Sequence, residues 1–251
     1  MNLSMDRSSF VPYEPLNQLK PFANDVWIAD GPEISMRLGP VSMPFPTRMT
    51  VVKLPDGSLW VHSPIAWNEA LAAQLRELGS VRHLIAPNSM HYWYLPDWQA
   101  HFREATSYGP PGLEASAKRP LRIDVTLGEA PPDAWQDMFE LCLFPGRIMT
   151  EVDFHHRPSS TLILADLIEN FEPARVKRPL LRGLLRFAGV TDPHGKAPFD
   201  MRLNFRGHRD AVRASGRKLI DWRPERVVLA HGRCLTVNAA EAVRRAFAWT
   251  Q

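Results

Sequence analysis

The chain has 251 residues, enough for one large domain with a sizeable core, and its 45% apolar and 23% charged content is that of a folded globular protein. No apolar run is long enough to span a membrane, and two cysteines, Cys142 and Cys234, cannot staple a disulfide framework. The net charge of +3 hides an asymmetry: residues 1–170 hold 13 Lys/Arg against 20 Asp/Glu, whereas residues 171–251 hold 17 against 7. A basic C-terminal third favours an anionic ligand, nucleic acid or an acidic partner. Its arginines are dispersed and form no nucleic-acid motif, so a solvated Arg-rich helix face balancing the acidic half is the simpler reading.

In chain order, residues 1–19 read as an N-terminal extension and 20–251 as a single domain. The opening "MNLSMDRSSFVPYEPLNQLKPFAND" has no apolar core of a signal peptide. With the free thiols, this makes a reducing cytoplasm the expected location and leaves no membrane partner in view. The thiols are expected to be small buried apolar groups. "DVWIADG" (25–31) reads as a strand and turn, and "TRMTVVKLPDGSLWVHSPI" (47–65) as a hairpin around "PDG". Between them, "GPVSMPFPTRMTVV" (39–52) is proline-rich and apolar. It suits a loop over a pocket, a dimer contact or, more simply, core or edge packing.

"WNEALAAQLREL" (67–78) places Leu71, Leu75 and Leu78 on one helical face before Gly79, and "VRHLIAP" (81–87) reads as a buried strand. A helix is expected over 93–104, with the aromatic run "YWYLPDW" (92–98) packed on the sheet or lining an apolar pocket. "MFELCLFPG" (138–146), "TEVDFHHRP" (150–158) and "STLILADLI" (160–168) read as three further strands. Helices follow from 179 and over 208–222, then a strand "RVVLAHG" (226–232) and a helix "NAAEAVRRAFAW" (238–249). Strands and helices alternate loosely, which predicts an α/β chain with many antiparallel hairpins.

His62, His91, the pair His155–His156 and His231 all fall at or just past the C-terminal ends of predicted strands, where layered α/β folds bind ligands. Asp166 closes the apolar run "TLILA", and Gly232 allows a tight turn beside His231. Histidine with carboxylate and no thiolate suits zinc, iron or manganese. Each residue alone has a structural reading: a hydrogen-bonded loop histidine, or for Asp166 a cap on the following segment.

Taken together, the hairpins, "LIAPNSMHYWYL", "FHHRPSSTLILADL" and "VVLAHG" resemble the metallo-β-lactamase superfamily over residues 20–235, as a divergent branch of it. The resemblance implies a four-layer αββα sandwich with mixed, largely antiparallel sheets. It also implies a metal that activates water against a carbonyl or phosphoryl centre. By it, His156 in "HHRPSST" fits the third metal motif, Asp166 the bridging aspartate and His231 the last ligand. "LWVHSPI" stands where the family has "LIDTG", so His62 or Ser63 replaces its aspartate. The first motif, "THxHxDH", departs most: Asn88 and Met90 fall at its first two histidines, Tyr92 at the aspartate and Trp93 at the last histidine. A one-residue gap brings His91 to the aspartate position.

The implied metal set is therefore His91, His156, Asp166 and His231, with His155 and Asn88 in reserve. It would hold one divalent ion (zinc before iron or manganese) or none. Three functions compete. The first is a mononuclear hydrolase of a small ester or lactone, with His91, Asn88 and Tyr92 as catalytic candidates; the second is a metal-free member that binds a ligand or partner. The third, nucleic-acid processing, is opposed by the missing two-metal ligand set. A small-molecule substrate is the expected partner, and a homo-oligomer is compatible with the sequence.

Overall fold

The computed structural model describes residues 8–38 and 41–251. The strands among these residues are β1 (Lys20–Ala23), β2 (Val26–Leu38), β3 (Val41–Lys53), β4 (Ser58–His62), β5 (Ser80–Ile85), β6 (Thr106–Gly109), β7 (Val125–Thr126), β8 (Phe139–Phe144), β9 (Glu151–His156), β10 (Thr161–Leu164) and β11 (Arg226–Leu229). The helices among the described residues are α1 (Glu69–Leu78), α2 (Leu95–His101), α3 (Leu113–Ser116), α4 (Pro179–Ala188), α5 (Phe199–Asn204), α6 (Arg209–Asp221) and α7 (Ala239–Ala246).

Strands β1 to β7 form one sheet in chain order, antiparallel up to β4 and parallel beyond it. The second sheet runs β11-β10-β9-β8, with β10 and β11 parallel and the other pairs antiparallel. Alternation sorts the side chains into layers. Val52, Trp60 and Ile85 of the first sheet meet Phe139, Val152, Phe154 and Ile163 of the second in one apolar layer. Behind the first sheet, Val51, Leu59 and Leu84 pack on Leu71 and Leu75 of α1 and Leu95 and Trp98 of α2. Behind the second, Phe144, Leu162 and Leu229 pack on Val212 and Leu219 of α6 and Val243 of α7. This is the αββα sandwich expected from the sequence.

Most predicted elements stand where the pattern puts them. Asn68 caps α1, its side chain accepting from the Leu71 amide. The aromatic run 92–98 packs Tyr92, Leu95 and Trp98 into the core behind the first sheet. The proline-rich segment differs in kind: from Val41 onward it is strand, paired to β2 along its length but to β4 only from Thr50. Pro44 and Pro46 sit in the stretch with a partner on one side alone, where a missing N–H breaks no second ladder. Gly39 and Pro40 lie outside the described residues. Ser9 to Tyr13 of the N-terminal extension pack on the domain; Phe10 bridges Val176 and the Tyr13 hydroxyl donates to Glu172 (2.7 Å). No helix among the described residues is long and apolar enough to cross a membrane.

Candidate metal centre

The C-terminal ends of β10 and β11 and the loop after β5 meet at one edge of the sandwich. Asp166 follows β10, His231 follows β11, and His91 lies in the loop after β5. One donor atom from each lies within 4.8 Å of the others, the one such group of three among the described residues. His91 Nε2 is 3.2 Å and His231 Nε2 3.3 Å from the same oxygen, Asp166 Oδ1. The imidazole centroids are 5.1 Å apart.

Each imidazole is fixed from behind. His231 Nδ1 donates to the Pro46 carbonyl (2.8 Å), which leaves the lone pair of its neutral form on Nε2, facing Asp166. His91 Nδ1 pairs with the Ser63 hydroxyl at 2.6 Å. Ser63 takes a left-handed backbone (φ 53°), an unfavoured state for a serine at the end of β4. Gly232 turns the chain after His231 at φ +90°, where a Cβ would come within 2.2 Å of the Asn170 carbonyl. The buried Arg48 clamps the same turn, donating to the Leu229 and Gly232 carbonyls (2.6 and 2.7 Å) while paired with Asp30 (2.8 Å).

Under the three donors lies a buried acid layer that sequence reasoning missed. Glu151, at the start of β9, is fully buried and accepts from the amides of Ala165, Asp166 and Leu167, which fixes the loop carrying Asp166. Asn88 bridges the two carboxylates, donating to Glu151 Oε2 (2.8 Å) and Asp166 Oδ2 (2.7 Å). Its own oxygen accepts from the Met90 and His91 amides and so shapes the His91 loop. The available signal was a pair of acids alternating with Val152 and Phe154: Glu151 and Asp153 share one face of β9, and charged residues are seldom fully buried without a reason.

Electrostatics follow from this packing. Burial opposes charge on Asp166, yet the two imidazoles facing it hold the carboxyl well below the usual range. Burial likewise works against protonating His91, but Asp166 and Glu151 outweigh it and raise its pKa. Burial and Asp166 raise the pKa of Glu151, and burial and Glu151 raise that of Asp153 well above the usual carboxylate value. Nearby Glu169 is pushed up by burial to about 8.

Four candidates fall elsewhere. His156 does not reach the cluster: β9 runs antiparallel to β10 with His156 opposite Thr161, so it ends at the far edge of the sheet. Glu151 stands at Asp166's edge, five residues and about 17 Å of strand from His156. "HHRPSST" is thus a hairpin turn, and His156 Nδ1 pairs with Ser159 (2.7 Å). His155 faces the helices, stacked on Trp222 and paired with Glu140. Tyr92 is core: its hydroxyl accepts from the Lys118 amide (2.7 Å), away from the donors. Asn88 is at the site, but its NH2 and oxygen are committed to the contacts above, so it positions groups and has no donor to spare for a substrate. His62 is buried against Trp60 and Phe154 and kept neutral, its pKa lowered to about 3 by burial and then by His91. Cys142 is buried in the core and Cys234 lies 3.2 Å from Arg48; neither approaches the donors as a ligand.

Above the donors lies a small cleft of about 40 Å³. His91, His231 and Ser63 form its floor, and Ile34, Met36, Met90 and Trp93 are among its walls. Its lining, predominantly apolar with a few converging polar atoms, has the composition of a small-molecule site in a narrower space.

Over most of its length the chain has the metallo-β-lactamase fold. A metallo-β-lactamase from Hirschia baltica superposes with a TM-score of 0.57 at 13% identity, covering 93% of this chain and 97% of that one. The DIM-1 metallo-β-lactamase superposes at 0.60 and 12% identity, covering 93% and 98%. The metal-soaked Flv1 flavodiiron core from Synechocystis sp. PCC6803 superposes at 0.60 and 14% identity, covering 93% of this chain and 60% of its own. By sequence, the chain belongs to the domain family of unknown function DUF4336, which matches residues 24–178. No curated protein matches the sequence.

Proposed function

We propose that the protein is a metal-dependent hydrolase with one divalent ion held by His91, Asp166 and His231, acting on a small ester or lactone. One observation carries this reading: both imidazoles turn Nε2 toward a single Asp166 oxygen while their Nδ1 atoms are occupied by Ser63 and the Pro46 carbonyl. Ligand bonds of about 2.1 Å in a tetrahedron set donor atoms about 3.4 Å apart. The observed 3.2 and 3.3 Å edges agree with that spacing. Two imidazoles and a carboxylate suit zinc first, then iron or manganese, and three protein ligands leave a position for water. When bound, such an ion brings a coordinated water's pKa near neutrality and polarises a carbonyl.

The chain's own groups do the rest. Asn88 and the amides around Glu151 keep Asp166 oriented, and Ser63 and Pro46 keep both imidazoles aimed at one point. Ile34, Met36, Met90 and Trp93 keep water from an apolar acyl group above them. Elemental mass spectrometry on untagged protein tests the reading. Near-stoichiometric ion, lost in His231→Ala, is expected; absence of any ion after incubation with zinc, iron and manganese would overturn it.

A metal-free binding role is favoured by a different observation: the Asp166 carboxylate already has Asn88 and His91 as partners. In that reading a proton on His91 takes the ion's place, and the protein would show ligand binding without hydrolysis. The same elemental measurement separates the two.

A further inference from the structure

Behind the second sheet, α5, the start of α6 and the turn at residues 249–251 form a cleft of about 410 Å³ that shares no lining residue with the donor cleft. Its size is that of a small-molecule site. Arg202 of α5, Arg206 of the turn after it, and Arg209 and Arg213 of α6 all line it. Among the described residues, none of the four is paired with an acid. Asp200 and Asp210 are interleaved with them in sequence, but neither lines the cleft.

A second cleft of similar size, about 440 Å³ beside Tyr13, gives the contrast. Its acids are already answered: Asp30 by Lys20 and Arg48, and Glu33 by the Ser9 and Phe10 amides. The arginine-lined cleft has four cations and no such partner. Two of its lining residues also hold a shielded N–H with no acceptor, Arg202 at Nε and Trp249 at Nε1. Buried donors are nearly always paired, so the lining is rich in donors and short of acceptors. An anion completes such a composition.

The apolar part of the lining is aromatic. The Phe205 and Trp249 rings are stacked at 5.9 Å, and Phe199 stands 58% exposed with the Arg202 guanidinium 5.8 Å from its ring centre. An open ring beside guanidiniums gives a flat ligand a surface to stack on.

We infer that this cleft binds a phosphate ester carrying a flat aromatic ring, the chemistry of a nucleotide, with the arginines on the phosphate and Phe199 against the ring. Phosphate suits the set better than carboxylate, because it brings up to two charges and three acceptor oxygens to several guanidiniums at once. Part of the charge excess of the C-terminal third thereby has a local purpose. The inference stands apart from the proposed hydrolysis, since none of the three donors lines this cleft.

Calorimetric titration of the full chain with AMP tests it, in chelator so that no phosphate can bind a metal ion. AMP is expected to bind saturably, to weaken as salt is raised, and to bind at least about fivefold more tightly than ribose 5-phosphate, which has the phosphate without the ring. The double variant Arg206→Ala/Arg209→Ala changes two exposed positions. It should keep the parent melting curve and lose at least about tenfold in AMP affinity. Arg103→Ala/Arg186→Ala removes the same charge from exposed arginines outside the cleft and should bind AMP as the parent does. Four results would overturn the inference: no saturable AMP binding, affinity unchanged in Arg206→Ala/Arg209→Ala, equal losses in the two double variants, or ribose 5-phosphate bound as tightly as AMP.

Discussion

The two edges of the second sheet both carry histidine, and they treat it in opposite ways. At one edge, parallel β10 and β11 deliver Asp166 and His231 to a common point, and the first sheet adds His91. At the other, β9 turns back on itself through "RPSS", and His156 is sealed against Phe139 and Ser159 with its Nε2 unpartnered. His91 sits beside carboxylates that raise its pKa, whereas burial lowers that of His156 to about 4. A strand-end histidine thus takes its role from the direction of its strand within the sheet.

The largest effect that could break this comparison is at Asp166. Asp166→Ala should remove the bound ion entirely and lower the unfolding free energy by about 3 kcal/mol, since it strips the partner from two buried imidazoles and Asn88. His156→Ala should cost about 2 kcal/mol by leaving a buried void beside Phe139 and Ser159, yet keep the full ion content. Urea unfolding and elemental analysis on both variants read the two quantities. Ion lost in His156→Ala with the fold intact would mean that the two edges are not distinct.

The second effect is one of pH. A histidine whose pKa falls on folding contributes stability above the unfolded value, near 6.5, and loses it as pH drops toward the folded value. For His156 that window is pH 6.5 to about 4, because the unfolded chain takes up a proton that the folded one refuses. Its span corresponds to about 3 kcal/mol. The stability difference between parent and His156→Gln should therefore shrink by about that amount between pH 7 and pH 4. His91 has the opposite sign: its contribution is present below 6.5 and lost as pH rises through its raised folded value. NMR titration of the ion-free protein should find His91 still protonated where His156 is neutral.

How far the sequence carried is visible at these same residues. Alternation in "TEVDFHH" and "STLILAD" marked both strands, and apolar spacing marked α1 and α4, because side-chain period depends only on local geometry. Asp166 and His231 were legible as carboxylate and imidazole at the ends of apolar runs. Strand order was not, since period sorts faces but leaves direction and neighbour open; "HHRPSST" therefore passed for a metal loop when it is a hairpin. Glu151 was missed for a related reason. Its purpose lies in three amides fourteen to sixteen residues away, which only the β9–β10 pairing brings to it. Tyr92 and Asn88 were near the site in sequence, but hydrogen-bond partners from Lys118 and Glu151 had already committed their polar atoms.

A finer test separates the three donors from their supports. Ser63 touches the donors only through His91, and its left-handed backbone is one that glycine adopts freely. Ser63→Gly should leave the melting temperature close to the parent's while weakening ion affinity about 10- to 100-fold, the usual cost of losing a group that orients a ligand histidine. Calorimetric zinc titration measures it; unchanged affinity would show that His91 is held without the serine.

The smallest effect is expected on the cleft wall. Trp93 is 45% exposed, contributes its ring to the mouth and touches none of the three donors' hydrogen bonds. Trp93→Ala should change unfolding free energy by less than about 0.5 kcal/mol, as surface substitutions do, and leave ion content unaltered. If the wall shelters an apolar acyl group, its removal should raise KM for esters with longer acyl chains about three- to tenfold, with little change for an acetyl ester, because only the longer chain reaches the lost surface. Equal losses for short and long chains would mean that the indole acts on the reacting carbonyl itself. The wall and the donor edge would then be one functional unit.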